Sequence, residues 1–259
     1  MGIFKKSSKL QVYSKLDDDG ITNVVLADTS SIGDKWEKED LVVAFILPTL
    51  DGQMHYSILH LWIAVALKVK YVIHTLTEDT YLNFCRNKLI DRANEASARQ
   101  FNRLPDYFMF IDQDMVLHPD LFDVLKSKMD KHNIDIVSAH YIRKRGNLPV
   151  WTAVKYFTEW NQKWKFKRGD LLEVVTTGAG ALLVKGEVLR KIDPPWFKTK
   201  SDAKTFFGED AYFCQLCRDN GYKVWVATDV PCGHQGSIVF PEDFEIRGRK
   251  ARTLDPWNK

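Results

Sequence analysis

Hydrophobic residues first gather at 41–48, LVVAFILP, an unbroken and largely β-branched run closed by Pro48. A run of this kind marks a strand covered on both faces. Asp51-Gly52 then supplies turn chemistry, and an apolar helical stretch follows from about Tyr56 to Lys68. The cycle repeats with YVIHTLT (71–77) as a strand and RNKLIDRANEASAR (86–99) as a polar helix. YFMFID (107–112) reads as a third strand, followed by a helix opening at Pro119, a residue suited to a first helical turn. IDIVSAHYI (134–142) reads as a fourth strand. Strands alternating with helices indicate βαβ units and a parallel sheet. The first half therefore predicts a Rossmann-like, nucleotide-binding type of α/β fold.

The second half alternates less regularly. It offers WTAVKYF (151–157), LLEVVTT (171–177), GAGALLVKG (178–186), helices near 186–192 and 209–219, and KVWVATDV (223–230). The whole predicts a mixed, mostly parallel sheet flanked by helices, spanning 41–240. Residues 1–40 show no sustained period and read as an N-terminal arm, and 241–259 as a basic C-terminal tail.

Composition narrows the partners. The 259 residues carry 37 Lys and Arg against 34 Asp and Glu, a formal net charge of +3, too balanced for a protein that chiefly binds duplex nucleic acid. No apolar run reaches the roughly 18–20 residues of a membrane span, and the start MGIFKKSSKL lacks an apolar signal core. The expectation is a soluble cytoplasmic protein, with peripheral membrane contact left open. Gly2 does not complete a myristoylation motif, because Lys6 stands where Ser or Thr is required. Four cysteines in a chain this long fit free thiols in a reducing compartment.

The sharpest chemical feature is Asp112-Gln113-Asp114, two carboxylates at the end of a hydrophobic strand. In open α/β sheets ligands bind at the carboxyl ends of strands. If the segment stays extended, residues i and i+2 project to one side, so both acids address one point. Like charges that close repel, and a divalent cation shared with a diphosphate compensates them. An ordinary strand-end turn with Asp as helix cap is the competing reading.

Gly208-Glu209-Asp210 opens the amphipathic segment AYFCQLCRDNG, where acids sit well in a helix dipole. Thr177-Gly178-Ala179-Gly180 interrupts an apolar stretch, marking either a bulge where a ligand approaches the backbone or a crowded helix–sheet contact. His234 lies between Gly233 and Gly236 in a loop after a strand.

Taken in order, Pro48-Thr49, Arg86-Asn87, Asp112-Gln113-Asp114 with His118-Pro119-Asp120, Thr177 to Gly180, Gly208-Glu209-Asp210 and Cys232-Gly233-His234 resemble the nucleotide-sugar-dependent glycosyltransferases of GT-A fold, especially the family-two-like members. The resemblance covers about Leu41 to Gly236. It implies transfer of a sugar from a nucleoside diphosphate of UDP or GDP type to a hydroxyl on a saccharide, lipid or protein. It further implies Asp210 as the base of an inverting reaction, with Glu209 raising its pKa or holding the acceptor; similar layouts also serve retention. Asp112, Asp114 and His234 would hold Mn²⁺ or Mg²⁺, imidazole favouring Mn²⁺ over Ca²⁺. Pro48, Thr49 and Asp51 would meet the nucleoside, Arg86 with Asn87 the diphosphate, and the Gly178–Gly180 strand the donor sugar.

Two other readings compete. Cys214, Cys217, Cys232 and His234 have the residue types of a zinc site, although the first pair lies in a helix where both thiols serve equally as small buried hydrophobes. The run Trp160 to Arg168 interleaves aromatic and basic residues, as a single-stranded nucleic-acid or glycan-binding module would.

Overall fold

The computed structural model describes residues 11–16, 22–28, 38–49, 53–78, 81–141, 166–201 and 206–235. The central strands form where the apolar runs predict. They are β3 (Glu39–Thr49), β4 (Val69–Glu78), β5 (Tyr107–Ile111), β7 (Ile136–Tyr141) and β12 (Val224–His234). Helices α1 (Tyr56–Ala66), α2 (Leu82–Phe101), α3 (Leu121–His132), α4 (Gly186–Lys191) and α5 (Glu209–Asp219) flank them. The remaining strands are β1 (Gln11–Leu16), β2 (Thr22–Asp28), β6 (Met115–Val116), β8 (Leu171–Val174) and β9 (Ala181–Lys185), with a small hairpin of β10 (Lys200–Ser201) and β11 (Phe206–Phe207).

The strand order is β1-β2-β4-β3-β5-β9-β7-β12-β6, and β8 adds to β12. β4, β3 and β5 pair in parallel, as do β7 and β12, while β9 runs antiparallel between β5 and β7. All five long central strands therefore point the same way, and their carboxyl ends share one edge. The sheet is the mixed α/β architecture that the alternation of elements predicts.

Pleating distributes the side chains. Along β3, Val43, Phe45 and Leu47 enter one core layer beneath α1 and α3, whereas Val42, Ala44 and Ile46 enter the other beneath α2, α4 and α5. Both faces are covered, which is why this strand carries no polar alternation.

Some local predictions shift. Residues 11–28, read as part of an arm, contain two antiparallel strands that extend the sheet edge next to β4. Pro119 lies in a turn ahead of α3, where the Leu121 amide donates to the His118 carbonyl, and Asp120 is the cap residue. The stretch 171–186 divides at its glycines: β8 pairs with β12 and β9 inserts between β5 and β7, with irregular backbone at 175–180. Gly221 ends α5 at φ +83°, its amide donating to Arg218 and that of Tyr222 to Cys217, the paired bonds of a Schellman stop.

Candidate functional site

Four strand ends supply one edge of the sheet: Asp112 follows β5, Tyr141 ends β7, His234 ends β12 and Gly180 precedes β9. Arg86 lies in the second turn of α2, and Glu209 and Asp210 form the first turn of α5.

The extended geometry expected for 112–114 is not found. The Met115 amide donates to the Asp112 carbonyl, closing a turn that sends the two acids to different partners. Asp112 Oδ1 accepts from Arg86 Nη2 at 2.7 Å, whereas Asp114 Oδ1 lies 3.1 Å from His234 Nε2. The turn is pinned by strand pairing as well, His234 lying opposite Met115 and the Gln235 amide donating to the Asp114 carbonyl at 2.7 Å.

Arg86 also donates through Nη1 to Glu209 Oε1 at 2.8 Å and Asp210 Oδ1 at 2.7 Å. Its side chain is 1% exposed, yet those of Asp112 and Asp210 retain 29% and 31%, so the acids keep a face toward solvent while their counter-ion lies beneath. Burial opposes the guanidinium charge, but Asp210, Asp112 and Glu209 more than offset it and hold Arg86 protonated well above its ordinary range. Arg86 thus balances the protein's own carboxylates, a different use from the expected diphosphate contact.

Asp210 is raised too, which for a carboxyl favours the neutral form. Partial burial of its packed side raises its pKa to about 7, opposed by Arg86 and by an amide donated from Ala179, and reinforced by Glu209 and Asp112. A carboxyl poised there exchanges a proton readily near neutrality.

Gly180 explains itself through space. A Cβ there would stand 2.9 Å from Asp112 Oδ2, 3.0 Å from Tyr141 Oη and 3.2 Å from Met115 Sδ. Asp112 cannot swing aside without leaving Arg86. Gly180→Ala is therefore expected to destabilise the protein by about 1–3 kcal/mol through overpacking and to displace Asp112; thermal melts and a crystal structure of the variant check the two effects. Gly178 is buried, and its carbonyl lies 3.4 Å from the Ser138 hydroxyl, which donates to it.

Tyr141 escaped the sequence reading. Its hydroxyl accepts the Gly180 amide at 2.9 Å, and its ring meets His234 edge-on at 6.1 Å. Burial, then the charges of Asp112 and Asp210, push the phenol well above its ordinary range, so it stays protonated. The signal was present: Tyr141 terminates an apolar strand on the ligand-binding edge, the rule that singled out Asp112.

Other expected contacts turn elsewhere. Asn87 donates to the Asn83 and Phe197 carbonyls and accepts the Phe197 amide, so its side chain grips a loop. Pro48 and Thr49 end β3 on the site edge, with the Thr49 hydroxyl donating to the Thr77 carbonyl at 3.2 Å. Asp51 lies outside the described residues, as do 151–165 and the tail from 236.

Cys232 does not meet the Cys214–Cys217 pair of α5. Cys214 and Cys217 pack in the layer beneath α5 and Cys232 in the opposite one, which removes the zinc reading. Burial raises all three thiols, Cys214 to about 11. Among the described residues no three His, Cys, Asp or Glu side chains gather as a complete cation site. The Asp114–His234 pair nonetheless supplies one oxygen and one nitrogen donor 3.1 Å apart, the donor chemistry a transition ion takes.

No family model matches the chain, and no curated protein matches its sequence. Among solved structures, A197 from STIV matches with a TM-score of 0.50 and 19% identity, over 75% of this chain and 85% of that one. S. aureus TarS (residues 1–349) matches with a TM-score of 0.42 and 12% identity, over 83% of this chain and 65% of that one. The likeness to A197 concerns the fold alone. Among the described residues no helix is long and apolar enough to cross a membrane.

Proposed function

We propose that the chain is a cation-dependent glycosyltransferase that moves a sugar from a nucleoside diphosphate of UDP or GDP type to a hydroxyl acceptor. The observation that carries this reading is the convergence, at the carboxyl edge of the sheet, of a carboxyl poised near neutrality with two further acids around one buried arginine. Asp114 and His234 would hold Mn²⁺ or Mg²⁺, with Asp112 contacting it directly or through water. When bound, the cation neutralises charge on the departing diphosphate. Three carboxylates, Asp112, Glu209 and Asp210, share the one Arg86 guanidinium, and Asp114 stands beside His234, so the site carries surplus negative charge that such a cation would balance.

Asp210 is the base. Arg86 and the Ala179 amide fix its carboxyl, and a remaining carboxylate lone pair takes the proton from the acceptor hydroxyl as that oxygen attacks the anomeric carbon. Single displacement by this route inverts configuration. The neighbouring Glu209 adds to the burial that raises the Asp210 pKa and would hold the acceptor hydroxyl.

The reading is tested by incubating the protein with UDP- and GDP-sugars, Mn²⁺ and simple saccharides, and measuring free nucleoside diphosphate. Release from one donor class, lost in Asp112→Ala, supports it. No release and no nucleotide binding by folded protein would favour a non-catalytic binding module.

A further inference from the structure

We infer that Arg86 is a positioning residue that sets the separation between the donor half of the site and the attacking group. The inference rests on the proposed function above. Arg86 reaches acids 26 and 124 positions away in sequence, holding Asp112 on Nη2 and Asp210 with Glu209 on Nη1. A guanidinium is planar and rigid, so its terminal nitrogens keep a fixed spacing, and carboxylates bound to them keep a fixed spacing too. The motif turn after β5 and the first turn of α5 are thereby locked to each other.

The arginine is itself anchored. Its Cζ lies 5.4 Å from the centre of the Phe197 ring, which stacks on Phe213 of α5 at 4.7 Å and 8°. Asn87, the next residue of α2, grips the Phe197 backbone through both ends of its amide. Helix α2 therefore carries the arginine and, through Asn87, also fixes the aromatic ring it lies against. Charge balance alone would require neither the fork nor the ring, since a lysine would supply the same unit charge.

Arg86→Lys separates geometry from charge. It is expected to lower kcat by about a hundredfold, the scale of a misplacement near 1 Å, while affinity for UDP or GDP with Mn²⁺ stays within about threefold and the melting temperature moves little. A kcat within about threefold of wild type would overturn the inference, because charge would then suffice. A parallel fall of kcat, nucleotide affinity and melting temperature would also overturn it, since Arg86 would then merely stabilise the fold. Should Arg86→Lys not fold, Phe197→Leu keeps every ion pair and removes only the ring; a drop of about tenfold in kcat with unchanged nucleotide affinity is expected, and an unchanged kcat would count against the inference. If the wild type transfers no sugar at all, the proposed function fails on its own, and crystal structures still decide the positioning role. The Asp112–Asp210 carboxyl separation is expected to widen in Arg86→Lys, and an unchanged separation would contradict the inference.

Discussion

Asp210→Asn is expected to lower kcat by about 10²–10⁴-fold, the range that a positioned general base contributes, while nucleotide affinity and melting temperature stay close to wild type. The fold should tolerate the change because Arg86 retains Asp112 and Glu209. The neutral amide keeps the size of the carboxylate and a carbonyl that can accept from Arg86, but loses the charge and the ability to take a proton. The base acts when deprotonated, so kcat/KM of the wild type should rise with pH through about 7 and then level, following the raised Asp210 pKa. That limb should vanish in Asp210→Asn. Steady-state kinetics from pH 5 to 9, with melting curves at each pH, check the prediction. Normal turnover by the variant would remove Asp210 from the mechanism.

Asp114→Ala is expected to abolish the Mn²⁺-dependent part of nucleotide binding and to cut turnover by about a thousandfold, corresponding to the several kcal/mol that a cation contributes at a departing phosphate. The loss should exceed that of a surface ion pair, because Asp114 is largely buried beside His234. His234→Ala should follow with a smaller effect, since its carboxylate partner remains. Calorimetric titration of UDP and GDP, with and without Mn²⁺, distinguishes the two variants. An Asp114→Ala protein with the Mn²⁺ dependence of wild type would relocate the cation away from the Asp114–His234 pair.

The frame of the fold was legible because β3 and β5 are covered on both faces and read as unbroken apolar runs, with β4 and β7 as largely apolar strands at regular spacing along the chain. β1 and β2 were not, since β1 is mixed and the apolar run of β2, Val24 to Ala27, is short and set in a polar segment. Asp112, Asp114, Glu209, Asp210 and His234 were named from strand-end and helix-start positions, and the structure brings them to one edge. Their pairing was not legible. The turn at 112–115 depends on β6 lying against β12, and the arginine network joins residues up to 124 positions apart. Arg86 reads from sequence as a solvated or phosphate-facing residue of a polar helix. Only the packing of α2 against Phe197 and α5 turns it inward. Likewise, nothing local to Asn87 announces that its amide is committed to the Phe197 backbone.

The most direct test of the central claim is a thermal-shift panel of wild-type protein with UDP, GDP, CDP, dTDP and ADP, each with and without Mn²⁺. A ligand at about a hundred times its Kd adds about 2.7 kcal/mol to folding stability, enough to raise the melting temperature clearly. Stabilisation by UDP or GDP that requires Mn²⁺ and disappears in Asp114→Ala is the expected result. Folded protein whose melting temperature moves with none of the nucleotides, metal present or absent, would contradict it.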